Sequence, residues 1–505
     1  MLRVLGSPKR MCDGMTRRDA IIAGGLGGLG IGLEGFLRQQ AAQAASPRES
    51  VANSLPGFGR AKSVILLFLY GSPSQLETFD MKPDAPAEIR GEMKPIRSSL
   101  PGLDVCELLP STAKVMDKVS VIRSVTHKHP IHGVAFATTG VPDIDVPMEL
   151  NPHDQRHWPF IGSVVTYLEQ QRNPRSAQKP VPDNIALPWA FSSRRVGEVQ
   201  RAGPYAAFLG SAYNPHYAEF EGKANAKITK MLRNEYVEFD EPYVGISRDC
   251  KFNLGDATKM TSEMTIDRLN HRKSLLDQLD TARRQFDTSA ATKSMDKHRA
   301  MAYSLIGSDA VRTALDVQRE SMSVRDQYGH TVFGQGCLAA RRLVEAGSKF
   351  VTVFWDEFGL AGSGWDTHWE HYPRMRNELM PGFDKGFYGL INDLQQRGTL
   401  DDTLVVCLSE HGRTPKIQNV KGGGRDHWSR AYSVVMAGAG LKRGFVLGKT
   451  DSIGGDVVDR PISPKDILAT IYHLLGIDLE THLFDRTNRP QILVPGGQVI
   501  PEIIA

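Results

Sequence analysis

Cysteine is scarce in this chain, with five in 505 residues and no Cys-x-x-Cys pair or zinc-ribbon spacing among them. That excludes a disulfide-stapled scaffold and a thiolate metal knuckle. Net charge is scarce as well: of the formal +4, residues 1–44 hold +3 and the rest of the chain +1. With no basic stripe to follow a phosphate backbone, nucleic acid is not an expected partner. Internal repeats and low-complexity tracts are missing. Beyond the first 44 residues no apolar run reaches the roughly 20 residues that a membrane span needs, so no transmembrane body is expected. What is present, 41% hydrophobic and 23% charged residues, is the make-up of a globular protein: one large α/β domain with insertions, or two domains.

The N-terminus reads as an address. Thr16-Arg17-Arg18-Asp19-Ala20-Ile21 precedes a Gly/Ala/Leu/Ile run to Leu37 and then Ala42-Gln43-Ala44, a small-x-small cleavage pattern. Paired arginines before a weakly apolar stretch predict a twin-arginine signal over residues 1–44 and a folded protein delivered to the periplasm. The competing reading, a retained membrane anchor, is opposed by the glycines of that run and by Glu34. Export permits a disulfide between Cys106 and Cys250, whereas Cys337 and Cys407 sit in apolar stretches that suit small buried side chains.

Ser63 to Tyr70 is an unbroken apolar run ending at Gly71-Ser72-Pro73, and Val119 to Val125, Phe350 to Trp355, Thr403 to Leu408 and Ser433 to Ala437 resemble it. Runs without polar alternation predict strands covered on both faces. Between them, Met380-Pro381 opens a helical pattern that sets Phe383, Phe387, Leu390, Ile391 and Leu394 on one face and stops near Gly398. A second pattern runs from Ser463 and Pro464 through Ile467, Ile471, Leu474 and Leu475 to Gly476. Strands alternating with helices predict an α/β fold with a largely parallel sheet. Residues from about 150 to 335 differ, with polar, proline-containing loops followed by charged helices near 264–286, 295–305 and 309–319. They read as an insertion that covers a site built on the sheet.

In an open parallel sheet ligands bind beyond the carboxyl ends of the strands. Here those positions are rich in His, Asp and Glu: Asp356-Glu357, then Asp366-Thr367-His368, then Glu410-His411-Gly412-Arg413, and, after a glycine-rich turn, Arg425-Asp426-His427-Trp428. Carboxylate with imidazole suits Zn²⁺, Mn²⁺ or another borderline divalent ion, with Ca²⁺ a further option. For any one pair the bland reading, a hydrogen-bonded loop staple, competes; for the set, a shared site is favoured. A fourth cluster, His127-Lys128-His129-Pro130-Ile131-His132, enters the segment Val134 to Gly140, where imidazoles suit a metal, an anion or solvent.

Thr403 to Gly412 is similar to the strand and Asp-His-Gly signature of the alkaline-phosphatase/sulfatase superfamily, Phe350 to His368 resembles its strand with a following ligand, and Pro464 to Asp478 its late helix. With Tyr70-Gly71-Ser72-Pro73-Ser74, Thr78-Phe79-Asp80, Cys337 to Leu343, Trp365 to His368 and Gly424 to Trp428, the whole chain resembles an uncharacterised family of exported bacterial proteins, a domain of unknown function placed in that superfamily. The resemblance implies an alkaline-phosphatase-like three-layer sandwich over residues 45–505, with the insertion at about 150–335. It also marks departures. Gly71 stands where the first strand usually ends in a metal-binding Asp, Glu77 and Asp80 follow further on, and Glu410 replaces the Asp of Asp-His-Gly. No Ser, Thr or Cys nucleophile occurs between Lys128 and His132.

The resulting expectation is an exported metal-dependent hydrolase of phosphate or sulfate esters. Asp356, Asp366, His368, Glu410, His411, Asp426 and His427 are the candidate metal ligands, His129 or His132 the base or a further ligand, and Arg413 or Arg425 the anion clamp. The alternative is a sulfatase-like binding or assembly protein without catalysis, because fold does not imply function.

Overall fold

A computed structural model of the chain describes residues 55–129, 134–141, 151–174, 176, 179–196, 201, 203–232, 235–255, 309–359 and 364–505. The twin-arginine segment, His132 and the charged stretches at 264–286 and 295–305 lie outside the described residues.

The five apolar runs form strands, and all five join one sheet. In chain order its strands are β1 (Ser63–Leu69), β2 (Val119–Val125), β3 (Asn184–Leu187), β4 (His216–Tyr217), β5 (Phe350–Trp355), β6 (Thr403–Leu408), β7 (Tyr432–Ala437) and β8 (Phe445–Leu447). Their spatial order is β8-β2-β7-β6-β1-β5-β3-β4. Seven run parallel, while β7 is antiparallel to both its neighbours, β6 and β2. The sequence predicts a largely parallel sheet and gives this strand no direction, and the structure makes β7 its antiparallel member. The reversal has a use: the start of β7, not its end, lies at the sheet edge where the parallel strands finish.

Both faces of the sheet are covered, which is why β1 is apolar from Val64 to Leu69. Ile65, Leu67 and Leu69 enter one core with α2 (Val332–Glu345) and α3 (Met380–Gln396). Val64, Leu66, Phe68 and Tyr70 enter the other with α1 (Ile161–Arg172) and α4 (Pro464–Leu474). The result is a three-layer α/β/α sandwich with a mostly parallel sheet. Within α3 all five residues of the expected stripe are buried, and Gly398 beyond its end takes φ +70°. At α4, Ser463 and Asp466 make a reciprocal capping box, with Ser463 N–H donating to Asp466 Oδ2 at 2.9 Å.

The segment expected only to cover the site does more, since it supplies α1, β3 and β4, with β3 pairing in parallel with β5. Short strands without an apolar run long enough to stand out hid this in the sequence. Cys106, Cys250, Cys337 and Cys407 are free and buried, so the permitted disulfide is not formed. Among the described residues no helix is long and apolar enough to cross a membrane.

Candidate metal centre

The site begins where β1 ends. Gly71 sits there at φ +94°, and a Cβ on it would collide with the backbone nitrogens of Trp365 and Asp366. Only glycine lets the loop after β5 cross this close. The absence of an Asp at Gly71 thus has a steric cause: the Trp365-Asp366 backbone occupies that space, and the Asp366 side chain comes from the crossing loop instead.

A second close crossing brings in the other ligand loop. A Cβ on Gly424 would strike the carbonyl of His368, so the glycine-rich turn lies directly against the Asp366–His368 segment. Arg425 N–H then donates to Thr367 O at 3.1 Å, and His371 N–H to Gly423 O at 3.0 Å. His427-Trp428 pairs antiparallel with Gly412-Arg413, which aligns the loop after β6 with the loop before β7. Three loops remote in sequence therefore meet at one edge of the sheet.

At their meeting point Asp366, His368 and His427 present ligand atoms that all lie within 4.8 Å of one another. Asp366 Oδ1 is 3.0 Å from His368 Nε2 and 3.3 Å from His427 Nε2, and the two Nε2 atoms are 3.1 Å apart. Atoms bound to one ion at about 2.0–2.1 Å in a tetrahedral set stand about 3.3 Å apart, so this triangle has the edge lengths of a ligand set. The side chains keep 16%, 29% and 22% exposure for Asp366, His368 and His427, enough for an ion to enter from solvent.

The protons say the same. His368 Nδ1 lies 2.6 Å from Asp426 Oδ1, a carboxylate oxygen that only accepts, so Nδ1 carries the proton. In the neutral ring Nε2 then offers a lone pair to the Asp366 carboxylate, and two acceptors facing each other need a cation or a second proton between them. The hydrogen bond to Asp366 raises the His368 pKa, as expected where positive charge is wanted. Carboxylate, imidazole and open space form the arrangement in which an outer carboxylate orients a metal-binding histidine. The residues present fit a divalent ion.

The remaining candidates have other duties. Asp426 is an orienting residue, its second oxygen taken by Gln418 Nε2. His411 packs its ring 4.5 Å from that of His427, with Nδ1 bonded to Gly412 O. Glu410, expected as a ligand, instead turns its Oε1 back to accept from Gly71 N–H at 2.8 Å and its Oε2 to accept from Ser409 Oγ. Asp356 is buried among N–H donors from Trp189, Ser192 and Glu357, where burial pushes its carboxyl up to about 7, and it lies outside the triangle.

Both arginines expected to clamp an anion are committed inside the protein. Arg413, fully buried, donates to Ser72 O, Gly71 O, Arg425 O and Asp366 Oδ1, the last at 2.6 Å. It braces Asp366 rather than a substrate. Arg425 pairs with Glu77, both side chains at 0% exposure, and spends its other N–H groups on Thr414 O, Pro415 O and Ile89 O. Burial opposes charge on Glu77, yet Arg425 and then His371 hold its carboxyl at about 2. Glu77 is therefore not a substitute ligand for the position of Gly71. Asp80 is likewise engaged, with Lys82 and Thr450.

Beside the triad opens a cleft of about 710 Å³ lined by His427, His127, Lys128, Trp428, Arg430 and Asp456 with Thr126, Ser429, Val457 and Pro461. Of the histidine cluster it is His127, not His129, that reaches this wall. His127 Nε2 donates to Glu410 O at 2.8 Å, while burial holds its pKa down at about 4. His129 donates its backbone N–H to His127 Nδ1 and packs its ring against Phe136. Lys128 and Trp428 carried no signal in the sequence beyond standing next to histidines, and Arg430 carried none.

No curated protein matches the sequence. Solved structures that resemble the chain include a sulfatase from Pseudoalteromonas sp., at 12% identity and TM-score 0.34, covering 85% of this chain and 69% of that one. A phosphonate monoester hydrolase from Silicibacter pomeroyi gives 13% and 0.34, covering 87% and 75%. The lipoteichoic acid synthase LtaP from Listeria monocytogenes gives 11% and 0.36, covering 90% and 80%. Likeness this distant says nothing of substrate. Residues 61–504 match a family described as "Protein of unknown function (DUF1501)".

Proposed function

The chain belongs to that family, whose description names no activity, and from the site's own geometry we propose a divalent-metal-dependent hydrolase of phosphate or sulfate esters, exported by the twin-arginine route. The observation that carries this reading is the triangle of Asp366, His368 and His427, with Asp426 fixing the His368 tautomer. A divalent ion held there supplies Lewis acidity toward an ester oxygen.

The chain's own residues do the rest. Asp366, braced by Arg413, and the two imidazoles would supply three ligands to such an ion, the number that catalytic rather than structural sites take from the protein. Thr126 and Ser429 are the hydroxyls on the cleft wall, and neither hydroxyl is hydrogen-bonded to an imidazole or a carboxylate among the described residues. An alcohol without an adjacent base is a weak nucleophile. Water is accordingly the attacking group, and no covalent ester of the protein forms.

The test is elemental analysis of protein purified without chelator, together with melting curves in added Zn²⁺, Mn²⁺ and Ca²⁺. Bound metal and a raised melting temperature are expected. No metal and an unmoved melting temperature would replace this reading by that of a non-catalytic binding protein, which the commitment of Arg413 and Arg425 inside the protein would then explain. For export, Arg17→Lys with Arg18→Lys is expected to leave the protein in the cytoplasm, because the receptor reads the arginine pair rather than positive charge. Normal periplasmic recovery of that double variant in cell fractions would remove the twin-arginine assignment.

A further inference from the structure

The cleft beside the triad is far larger than a phosphate or sulfate group needs. Its volume of about 710 Å³ lies in the range of sites that enclose whole organic ligands. More of its wall is apolar than polar, through Val457, Pro461, the ring of Trp428 and the carbon stems of the longer side chains, with polar groups from Thr126, Lys128, Ser429, Arg430 and Asp456 set among them. A wholly apolar ligand would leave the hydroxyls of Thr126 and Ser429 and the charges of Arg430 and Asp456 facing hydrocarbon, at a cost that an organic ligand with polar groups of its own avoids.

The charges of the wall do not cancel. Arg430 and Asp456 form an ion pair at 2.5 Å, and Arg430 also stands 5.4 Å over the Trp428 ring. His127 is neutral by its bonds alone, since its Nε2 faces the Glu410 carbonyl and its Nδ1 accepts from His129 N–H. Lys128 is left. It is exposed and is in no ion pair among the described residues. Its backbone is held between two fixed neighbours, because His127 is tied to Glu410 O and packs on Phe136 and Tyr432, and His129 is tied to His127. A cation on an anchored stem therefore lines the same cleft as His427.

We propose that Lys128 is a specificity residue: the cleft takes an organic ester that carries a second anionic group, and Lys128 reads that second charge. The proposal rests on the triad being a metal-dependent ester site, and it adds the chemistry of the part of the substrate that does not react.

Two probes with the same three-carbon phosphate body separate the charges: glycerol 3-phosphate, and 3-phosphoglycerate, which adds a carboxylate. Calorimetric titration of metal-loaded protein is expected to show a preference of about two- to fivefold for 3-phosphoglycerate, the effect of one charge-assisted contact at an exposed position. Lys128→Ala should abolish the preference while leaving glycerol 3-phosphate affinity within about twofold, and Lys128→Arg should keep it. Equal affinity of the wild type for the two probes, absence of binding by either, or a preference that survives Lys128→Ala overturns the proposal. Metal content measured on the same samples separates the two levels: loaded protein without the preference sinks the role of Lys128 alone, whereas protein that takes up no metal sinks the triad reading beneath it.

Discussion

Glu77→Ala is expected to cost the native state about 3–5 kcal/mol, the usual penalty for stripping one partner from a buried ion pair. Both partners have 0% side-chain exposure, and Arg425 Nε lies 3.1 Å from Glu77 Oε1. With the carboxylate gone, the guanidinium keeps three carbonyl acceptors but no anion, and a water entering the space would not restore the lost charge. The damage should spread to the metal centre, because Arg425 sits one residue before Asp426 and ties its backbone N–H to Thr367, between Asp366 and His368. His371 closes the circuit, with Nδ1 at 2.7 Å from Thr367 Oγ1 and Nε2 at 3.4 Å from Glu77 Oε2. One buried carboxylate thus holds both ligand loops in register. Denaturant midpoints and metal affinity should fall together; a variant that lost stability but bound metal as the wild type does would separate the frame from the site.

The same pair sets an acid limit. Glu77 has its pKa depressed to about 2 from an ordinary 4.5, so its contribution is fully present above about pH 4.5 and is lost as pH falls toward 2. The shift corresponds to about 3 kcal/mol. Glu77→Gln keeps the shape and removes the titration, so its stability should be lower at neutral pH and flatter between pH 4.5 and 2 than that of the wild type. Parallel pH profiles of the two proteins would assign the acid limit elsewhere.

Five of the eight strands were legible because strands buried on both faces are mainly apolar without polar alternation, and β1 shows it from Val64 to Leu69. α3 and α4 were legible from stripe, cap and terminal glycine. The direction of β7 was not, since an apolar run covered on both faces looks the same in either direction. Nor were β3 and β4, too short to rise above their polar surroundings. At the site, residue type located the loops but not the division of labour within them. Glu410 and Asp356 carry the same groups as Asp366, yet their oxygens meet backbone N–H groups that no sequence pattern announces. Arg413 and Arg425 read as anion clamps because arginine donors are usually free to reach a ligand; here glycines at 71 and 424 let the loops close tightly enough to supply carbonyls to both. The glycines were visible in the sequence, and what they permit became visible only once the crossing backbones were placed.

His368→Ala and His427→Ala should each reduce bound metal to background, whereas Asp426→Asn should retain metal with an affinity about 10–100-fold weaker, the usual effect of removing an orienting carboxylate behind a histidine ligand. The distinction follows from the tautomer. Asp426 Oδ1 receives the Nδ1 proton at 2.6 Å and its own position is fixed by Gln418 and by its backbone N–H, which donates to Thr414 Oγ1 at 3.0 Å. An asparagine at that place still accepts the proton through its carbonyl oxygen, so the ring keeps its orientation, but the neutral amide no longer makes the imidazole more basic. Metal binding adds RT ln(1 + [L]/Kd) to the native state, about 2.7 kcal/mol at a hundred times Kd. In metal well above both dissociation constants the Asp426→Asn protein should therefore melt below the wild type by a gap worth RT ln of the affinity ratio, about 1.4–2.7 kcal/mol, which closes as metal is withdrawn, while the two alanine variants should not respond to metal at any concentration. Metal retained by His368→Ala would place the ion elsewhere on the chain. An Asp426→Asn protein with wild-type affinity would show that the Nδ1 contact is a loop staple rather than part of the centre.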